Sequence, residues 1–293
     1  MGWSEGYIAV DWGSTNRRAY RMDGSGTCIN SFEDDRGVLS MDGIGFARAV
    51  AEIRDRLDDR PMLLAGMVGS NRGWHEAPYV DCPAVVDGLA RAVLWIEPDR
   101  TGIVPGVCQR GSHADVMRGE EMQAIGAASA GLVAADALLC HPGTHSKWVS
   151  LRDGAIQSFR TLMTGELFSL LKGHSILADR LQGDVVDDAS FRASVRSALA
   201  GANPISGLFG IRAKALLGEN TLDAASSVSG ALIGAELRIA LSAHPAGPVA
   251  VVGGAGLCAL YASALAEAGR PAHVVDGAQA FLAGIAALVE QLK

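Results

Sequence analysis

The sequence predicts an α/β protein built from two related domains, and the prediction rests on a pattern that occurs twice, on length and on composition. In the middle of the chain an apolar run, Leu138-Leu139-Cys140, enters a polar tip at His141-Pro142-Gly143-Thr144-His145-Ser146 and leaves through the alternating segment Lys147-Trp148-Val149-Ser150-Leu151. Alternation of this kind marks a half-buried strand, so the segment reads as a β-hairpin with a polar tip. The plan recurs near the N-terminus, where Tyr7-Ile8-Ala9-Val10-Asp11-Trp12 leads into Gly13-Ser14-Thr15-Asn16 and out through Arg17-Arg18-Ala19-Tyr20. At 293 residues the chain is long for one core and comfortable for two, since domains run to roughly 100 to 200 residues. With 49% hydrophobic and 19% charged residues it has the balance of a globular protein. Its 36 glycines follow no period, which excludes a collagen-like or linker reading.

Glycine lets backbone N–H groups approach a phosphate closely, and neighbouring hydroxyls add donors, so each tip suits a triphosphate. Gly, Ser, Thr and Asn are also ordinary turn residues, and one such tip alone decides nothing. The pair, with Asp11 at the end of a buried strand, favours a nucleotide clamp. A net charge of −7 argues against a nucleic-acid or anionic-membrane surface, so an anionic ligand has to be held by local donors. Cys28, Cys82, Cys108, Cys140 and Cys258 are odd in number, scattered and without a Cys-x-x-Cys pair, which points to a reducing compartment and no structural metal. Residues 1–6 lack the basic start and apolar middle of a signal peptide. The apolar C-terminal segments are broken by Gly, Asp, Glu or His before about 18 residues, so no membrane-spanning helix and a cytoplasmic location are expected.

In chain order, residues 8–10 read as a strand and 19–22 as its return, followed by a turn at Asp23-Gly24-Ser25-Gly26. Residues 46–57 place Phe46, Val50, Ile53 and Leu57 on one helix face. Residues 62–66 form a short buried strand. It opens into Gly66-Met67-Val68-Gly69-Ser70-Asn71-Arg72-Gly73-Trp74, either a loop packed beside a ligand or a compact surface loop anchored by Trp74. Residues 103–107 look like one strand. A helix over 119–132 carries Glu120 and Glu121 in its first turn, where the macrodipole favours acids whether or not they act chemically. After the central hairpin, Thr164 is an N-cap candidate for a helix, and residues 179–202 are mixed helix and loop. Residues 228–241 form an Ala-rich helix whose Gly230, Ala231, Gly234 and Ala235 permit close packing. Residues 248–252 are a buried strand that breaks at Gly253-Gly254-Ala255-Gly256 into another helix, without the Gly-x-Gly-x-x-Gly spacing of a dinucleotide fold. A final helix over 276–293 is rich in small residues.

This order of parts resembles the sugar kinase, heat-shock protein and actin superfamily, and within it the chain resembles 2-dehydro-3-deoxygalactonokinases. The segments that carry the resemblance are Asp11-Trp12-Gly13-Ser14-Thr15-Asn16 with Arg18, Gly66-Met67-Val68-Gly69-Ser70 with Gly73-Trp74 and Ala77-Pro78-Tyr79, and Val116-Met117-Arg118-Gly119-Glu120-Glu121. Pro142-Gly143-Thr144-His145-Ser146-Lys147-Trp148, the most specific, Met163-Thr164-Gly165-Glu166-Leu167, and Gly230 with Ile233-Gly234-Ala235-Glu236 complete it. The resemblance implies two actin-like (ribonuclease H-like) α/β domains with a nucleotide cleft between them: 1–135 with the first hairpin and the sugar-acid side, and 136–293 with the second hairpin and the adenosine side. The last helix is expected to pack back on the first domain.

The implied activity is ATP-dependent phosphorylation of the C6 hydroxyl of 2-dehydro-3-deoxy-D-galactonate, a step of galactonate breakdown. In that reading Asp11 holds Mg²⁺ beside the phosphates. Gly13, Ser14 and Thr15 cradle the phosphates from one side, and Gly143, Thr144 and Ser146 from the other, with His145 and Lys147 either touching phosphates or only stabilising the hairpin. Gly253, Gly254 and Gly256 accommodate adenosine. Glu120 is the expected catalytic base, and Arg18, Ser70, Asn71 and Arg118 are candidates for the substrate carboxylate, with Arg118 equally suited to a helix-start ion pair. His141-Pro142 stands where actin-like ATPases carry an aspartate, which counts against ATP hydrolysis as the main activity. The competing readings are a kinase for another sugar acid, an actin- or heat-shock-like clamp for which 293 residues leave little room for a peptide-binding domain, and a ribokinase-type kinase. The last would need a Gly-Ala-Gly-Asp motif, and Gly277-Ala278-Gln279-Ala280 lacks its carboxylate. A regulatory protein with dead kinase parts would have lost Asp11 or Glu120. A homodimer is compatible with the sequence.

Overall fold

The computed structural model describes residues 2–219, 223–244 and 246–293, and the chain divides into two compact units. Unit one draws on Met1–Asp136, Ser150–Phe159 and Gly277–Lys293, and unit two on Ala137–Val149 and Arg160–Asp276. The elements begin with β1 (Gly6–Trp12), β2 (Arg17–Asp23), β3 (Cys28–Asp34), α1 (Gly43–Leu57), β4 (Met62–Gly66), β5 (Tyr79–Asp81), α2 (Val86–Arg91), β6 (Leu94–Glu97), β7 (Thr101–Ile103), β8 (Gly106–Gln109), β9 (Asp115–Met117) and α3 (Glu120–Ser129). They continue with β10 (Ala137–His141), β11 (Ser146–Arg152), β12 (Ala155–Leu162), α4 (Thr164–His174), α5 (Ala189–Leu199), α6 (Pro204–Leu216), α7 (Ala224–Ser242), β13 (Val249–Gly253), α8 (Ala255–Glu267), β14 (Ala272–Asp276) and α9 (Gly277–Glu290).

The main sheet of unit one runs β3-β2-β1-β4-β7-β6, and the second main sheet runs β12-β11-β10-β13-β14. Apart from β6 at an edge, both have their first strand third, flanked by a hairpin on one side and parallel neighbours on the other. β1 pairs antiparallel with β2 and parallel with β4, and β10 pairs parallel with β13. All five residues of β4 are buried, as expected of a parallel strand covered on both faces. The core of unit one gathers Ile8, Val10, Trp12, Phe46, Ile53 and Leu64, and that of unit two Trp148, Phe191, Val195, Leu237, Val251 and Tyr261.

Glycine sets how closely the helices of each unit approach. A Cβ at Gly126 of α3 would lie 1.9 Å from the Ala280 carbonyl of α9, and one at Gly284 would lie 2.0 Å from that of Met122. In unit two, Gly230 and Gly234 of α7 bring their backbone against Phe191 and Val195 of α5 in the same way.

Several sequence expectations are corrected. The apparent strand over 103–107 is two strands in different sheets: β7 ends at Ile103 and β8 begins at Gly106, because Pro105 has no N–H to continue a ladder. Thr164 is the first residue of α4 rather than its cap, which is Met163. The helix expected over 119–132 ends at Ser129, followed by Gly131 at φ +67°. Helix α6 was not anticipated, although Asn203 caps it through a bond from the Ile205 N–H and Pro204 opens it. α7 has 19 residues and is long and apolar enough to cross a membrane by length and composition, contrary to the expectation of interrupted segments; it is largely buried, with Val228, Ile233 and Leu237 at 2% exposure or less.

Candidate active site

In unit one the chemistry gathers where β1, β4 and α3 meet. Asp11, next to last in β1, stands beside Ala65 of β4 and opposite Arg18 of β2. The chain leaves β4 at Gly66 with φ +92°, where a Cβ would come 2.9 Å from the Trp12 carbonyl oxygen and 3.6 Å from the Asp11 carboxylate. Gly119, at φ +108°, lies against Gly66, the ideal Cβ being 3.3 Å from the Gly66 Cα. Only glycine adopts such conformations without strain, and here two of them let the start of α3 settle against the end of β1. Glu120, first in that helix, accepts a hydrogen bond from the Arg118 N–H at 3.3 Å.

The Asp11 carboxyl is pushed up to about 6: burial is the main cause, the Arg18 guanidinium at 3.9 Å opposes it, and Glu120 and Glu33 add to it. Glu120 is therefore close enough for its charge to be felt at Asp11. Arg18 also pairs with Glu33 at 3.0 Å. Glu121 points the other way, is fully buried, and accepts from the Gly119 N–H at 2.6 Å. Its carboxyl is pushed up to about 8 by burial and by Glu120, and its Oε1 has no hydrogen-bond partner among the described residues.

The first hairpin tip is strapped by residues 37–39. The N–H groups of Gly37, Val38 and Leu39 donate to the carbonyls of Thr15, Gly13 and Ser14, each at 3.0 Å. A side chain at Gly37 would collide with Ser14 and Thr15 backbone atoms at 2.3–2.4 Å. Thr15 and Asn16 remain exposed.

The four substrate candidates separate by exposure. Arg18 and Asn71 are exposed, whereas Ser70 and Arg118 are buried, and Arg118 keeps Nε and Nη1 without a hydrogen-bond partner among the described residues. The Ser70 hydroxyl donates to the Met67 carbonyl at 2.7 Å and accepts from the Arg72 N–H. The Arg118 guanidinium donates to the Ala77 carbonyl at 2.8 Å and lies 4.4 Å over the Tyr79 ring.

In unit two, Gly143, Thr144 and His145 form an accessible tip, while Ser146 and Lys147 are turned inward. The Ser146 hydroxyl is thus turned away from the tip, and of the two readings open for Lys147 its bond within the hairpin matches the stabilising one. Ser146 Oγ meets the Tyr261 hydroxyl at 3.0 Å, and Lys147 Nζ donates to the His145 carbonyl at 3.0 Å. β11 begins already at Ser146, and its first four residues are all buried, so both faces of the strand are covered from its first residue on. His141 is buried, and its imidazole is pushed down to about 3 by burial and by Lys147, so it stays neutral. The first turn of α4 abuts the tip: the Glu166 N–H donates to the Thr144 carbonyl at 2.9 Å, His145 pairs with the Glu166 carboxylate, and Gly165 leaves no room for a Cβ beside the Gly143 carbonyl oxygen. Gly253, at φ +151°, ends β13, and Gly254 and Gly256 are exposed at the start of α8.

Sequence reasoning assigned no role to Glu33, Glu121, Glu236 or Tyr261. The one available signal was an acid, Glu236, in the middle of an apolar, small-residue helix.

A family model described as 2-keto-3-deoxy-galactonokinase matches residues 11–288. The chain is 38% identical over 287 residues to the 2-dehydro-3-deoxygalactonokinase of Escherichia coli K12, covering 95% of this chain and 96% of that protein. A crystal structure from Sinorhizobium meliloti, described as a "putative 2-dehydro-3-deoxygalactonokinase protein", superposes with a TM-score of 0.90 at 35% identity, covering 98% of this chain and 99% of that one. Component A of the Acidaminococcus fermentans (R)-2-hydroxyglutaryl-CoA dehydratase superposes with a TM-score of 0.56 at 13% identity, over 99% and 100% of the two chains, a likeness of fold alone.

Proposed function

The chain belongs to the 2-keto-3-deoxy-galactonokinase family, and from that premise we propose that Asp11 and Glu120 are the chemical centre of an ATP-dependent kinase acting on the C6 hydroxyl of 2-dehydro-3-deoxy-D-galactonate. The single observation that carries the residue assignment is the convergence of these two carboxylates through the Gly66–Gly119 contact. Phosphoryl transfer demands little covalent chemistry, so the protein's task is to position reactants and neutralise charge.

Glu120 accepts the C6 hydroxyl proton as the new oxygen–phosphorus bond forms and the bond to the ADP oxygen breaks. Asp11 suits Mg²⁺, which is held through one or two carboxylates, retained waters and phosphate oxygens rather than by a protein cage. Among the described residues no three or more His, Cys, Asp and Glu gather into such a cage. When bound, the ion supplies neutralisation of the phosphate charge. Backbone N–H groups at Ser14, Thr15, Gly143, Thr144 and His145 cradle the phosphates, the Gly13 N–H being bonded already to the Asn16 carbonyl at 2.9 Å, and Gly253, Gly254 and Gly256 take adenosine. Arg18 and Asn71, the exposed pair, are assigned to the substrate carboxylate, with Arg118 and Ser70 holding the loop that carries Asn71. A domain boundary near Ala135 and a cytoplasmic location belong to the same reading.

The test is a panel of 2-keto-3-deoxy sugar acids assayed for ATP-dependent phosphorylation. Turnover of the galactonate derivative above its epimers supports the assignment. Slow ATP hydrolysis indifferent to every sugar acid would refute it in favour of a nucleotide-driven clamp.

A further inference from the structure

Unit two buries a carboxylate that the reaction as described does not use. Glu236, in the middle of α7, is 2% exposed, and its two oxygens collect donors from three other elements. Trp148 Nε1 of β11 donates to Oε1 at 2.8 Å, and the Tyr261 hydroxyl of α8 donates to Oε2 at 2.8 Å. The hydroxyls of Ser146, first in β11, and Thr164, first in α4, also bond to it. Burial raises the carboxyl's pKa and these four donors lower it. A buried carboxylate is tolerated when so satisfied, and the network then rigidifies what it joins.

The joined elements are those to which the nucleotide was assigned. β11 and the first turn of α4 carry and flank the tip of residues 143–145, and α8 is the helix that the glycine turn at 253–256 opens. We propose that Glu236 is a positioning residue for the nucleotide, tying the phosphate hairpin, the start of α4 and the adenosine turn into one rigid cradle. The inference rests on the reading that this hairpin holds the nucleotide. It explains why Ser146 and Thr164 turn inward from a polar tip: their hydroxyls fasten the tip instead of touching the ligand.

The experiment measures ADP affinity by calorimetry, together with kcat, KM for ATP and KM for the sugar acid, on the full chain. Tyr261→Phe removes one hydroxyl and keeps the ring. Glu236→Gln removes the charge and turns an amide donor toward groups that themselves donate. Losing a hydrogen bond to a charged group typically corresponds to about a ten-fold effect or more, so each variant is expected to weaken ADP and raise KM for ATP by about that factor, Glu236→Gln the more. The sugar-acid KM should stay unchanged and kcat within about three-fold. The double variant should lose less than the sum of the two, since both act through one network.

Gly143→Ala separates this inference from its premise, because the Cβ it adds meets no atom of the protein beyond its chain neighbours within 4 Å and projects where a ligand would approach. If Gly143→Ala weakens ADP while Tyr261→Phe and the folded Glu236→Gln do not, the positioning role is wrong and the hairpin reading stands. If Gly143→Ala leaves ADP affinity unchanged, both fall. Loss of thermal stability in the Tyr261 and Glu236 variants with every kinetic constant intact also overturns the positioning role.

Discussion

The two hairpins share a plan and handle charge in opposite ways. At the first, Asp11 keeps a partly exposed carboxylate whose pKa is raised to about 6, Arg18 is shared between it and Glu33, and Glu120 adds like charge. At the second, His141 is buried and neutral, Lys147 is spent on the His145 carbonyl, and Ser146 and Trp148 are bound into the Glu236 network. An excess of carboxylates over the single Arg18 guanidinium at the first hairpin is suited to a cation and a proton; the Glu236 network at the second yields a fixed shape with little charge at its tip. On the proposed assignment, a repeated topology is divided between chemistry and grip.

The sharpest way to break this contrast is at the carboxylates. Glu120→Gln is expected to lower kcat by about 10²- to 10⁴-fold, the usual contribution of a positioned base, with ADP affinity by calorimetry kept within a few-fold. Near-full turnover in that variant would remove the base from this site. Asp11→Asn should cost about 10²- to 10³-fold in kcat, the scale of losing one electrostatic stabiliser, and should raise the Mg²⁺ concentration needed for half-maximal rate. His141→Asn at the second hairpin should change kcat by less than about ten-fold. Equal losses at Asp11 and His141 would erase the division of labour.

A smaller effect tests shape. In Gly165→Ala the new Cβ meets the Gly143 carbonyl oxygen at 2.3 Å and the Thr144 Cα at 2.8 Å, so the second tip has to move. Displacements of this size cost about ten- to a hundred-fold, read here as KM for ATP with kcat largely kept. Gly13→Ala at the first tip meets only the Asn16 carbonyl oxygen at 3.3 Å and should be milder. The reverse ranking would assign the rigid grip to the wrong hairpin.

The smallest effect concerns stability. Glu121 has its carboxyl raised to about 8 by burial, so the folded protein holds a proton that the unfolded chain releases near pH 4.5. Its contribution is fully present below about pH 4.5 and is lost as pH rises toward 8. Glu121→Gln, neutral at every pH, should flatten the fall in melting temperature over that window and be the more stable form at pH 8. An unchanged slope would show that Glu121 is already ionised in the fold.

The carboxylate pair was legible as residues but not as a pair. Glycines at 66 and 119 could be read as breaks in strand and helix; only the fold reveals that they touch, and that their contact brings together the proposed base and the proposed cation ligand, 109 positions apart. By type Ser70 suited a ligand and Arg118 a ligand or a helix-start ion pair, and the structure gives each a backbone carbonyl to bond, of Met67 and of Ala77. Glu121 differs from Glu120 by one position, yet the helical turn sends one into the core and leaves the other beside Asp11.

By itself the sequence determined the local chemistry: the twin hairpins, the apolar strands, the small-residue helices and the place of Asp11 at a strand's end, because these depend on residues near one another in the chain. Tertiary structure alone decided which polar groups are satisfied and which are left to act. Burial and hydrogen-bond partners are set by elements distant in sequence, as when α7 supplies the carboxylate that turns Ser146 and Trp148 inward, and no local pattern encodes that meeting.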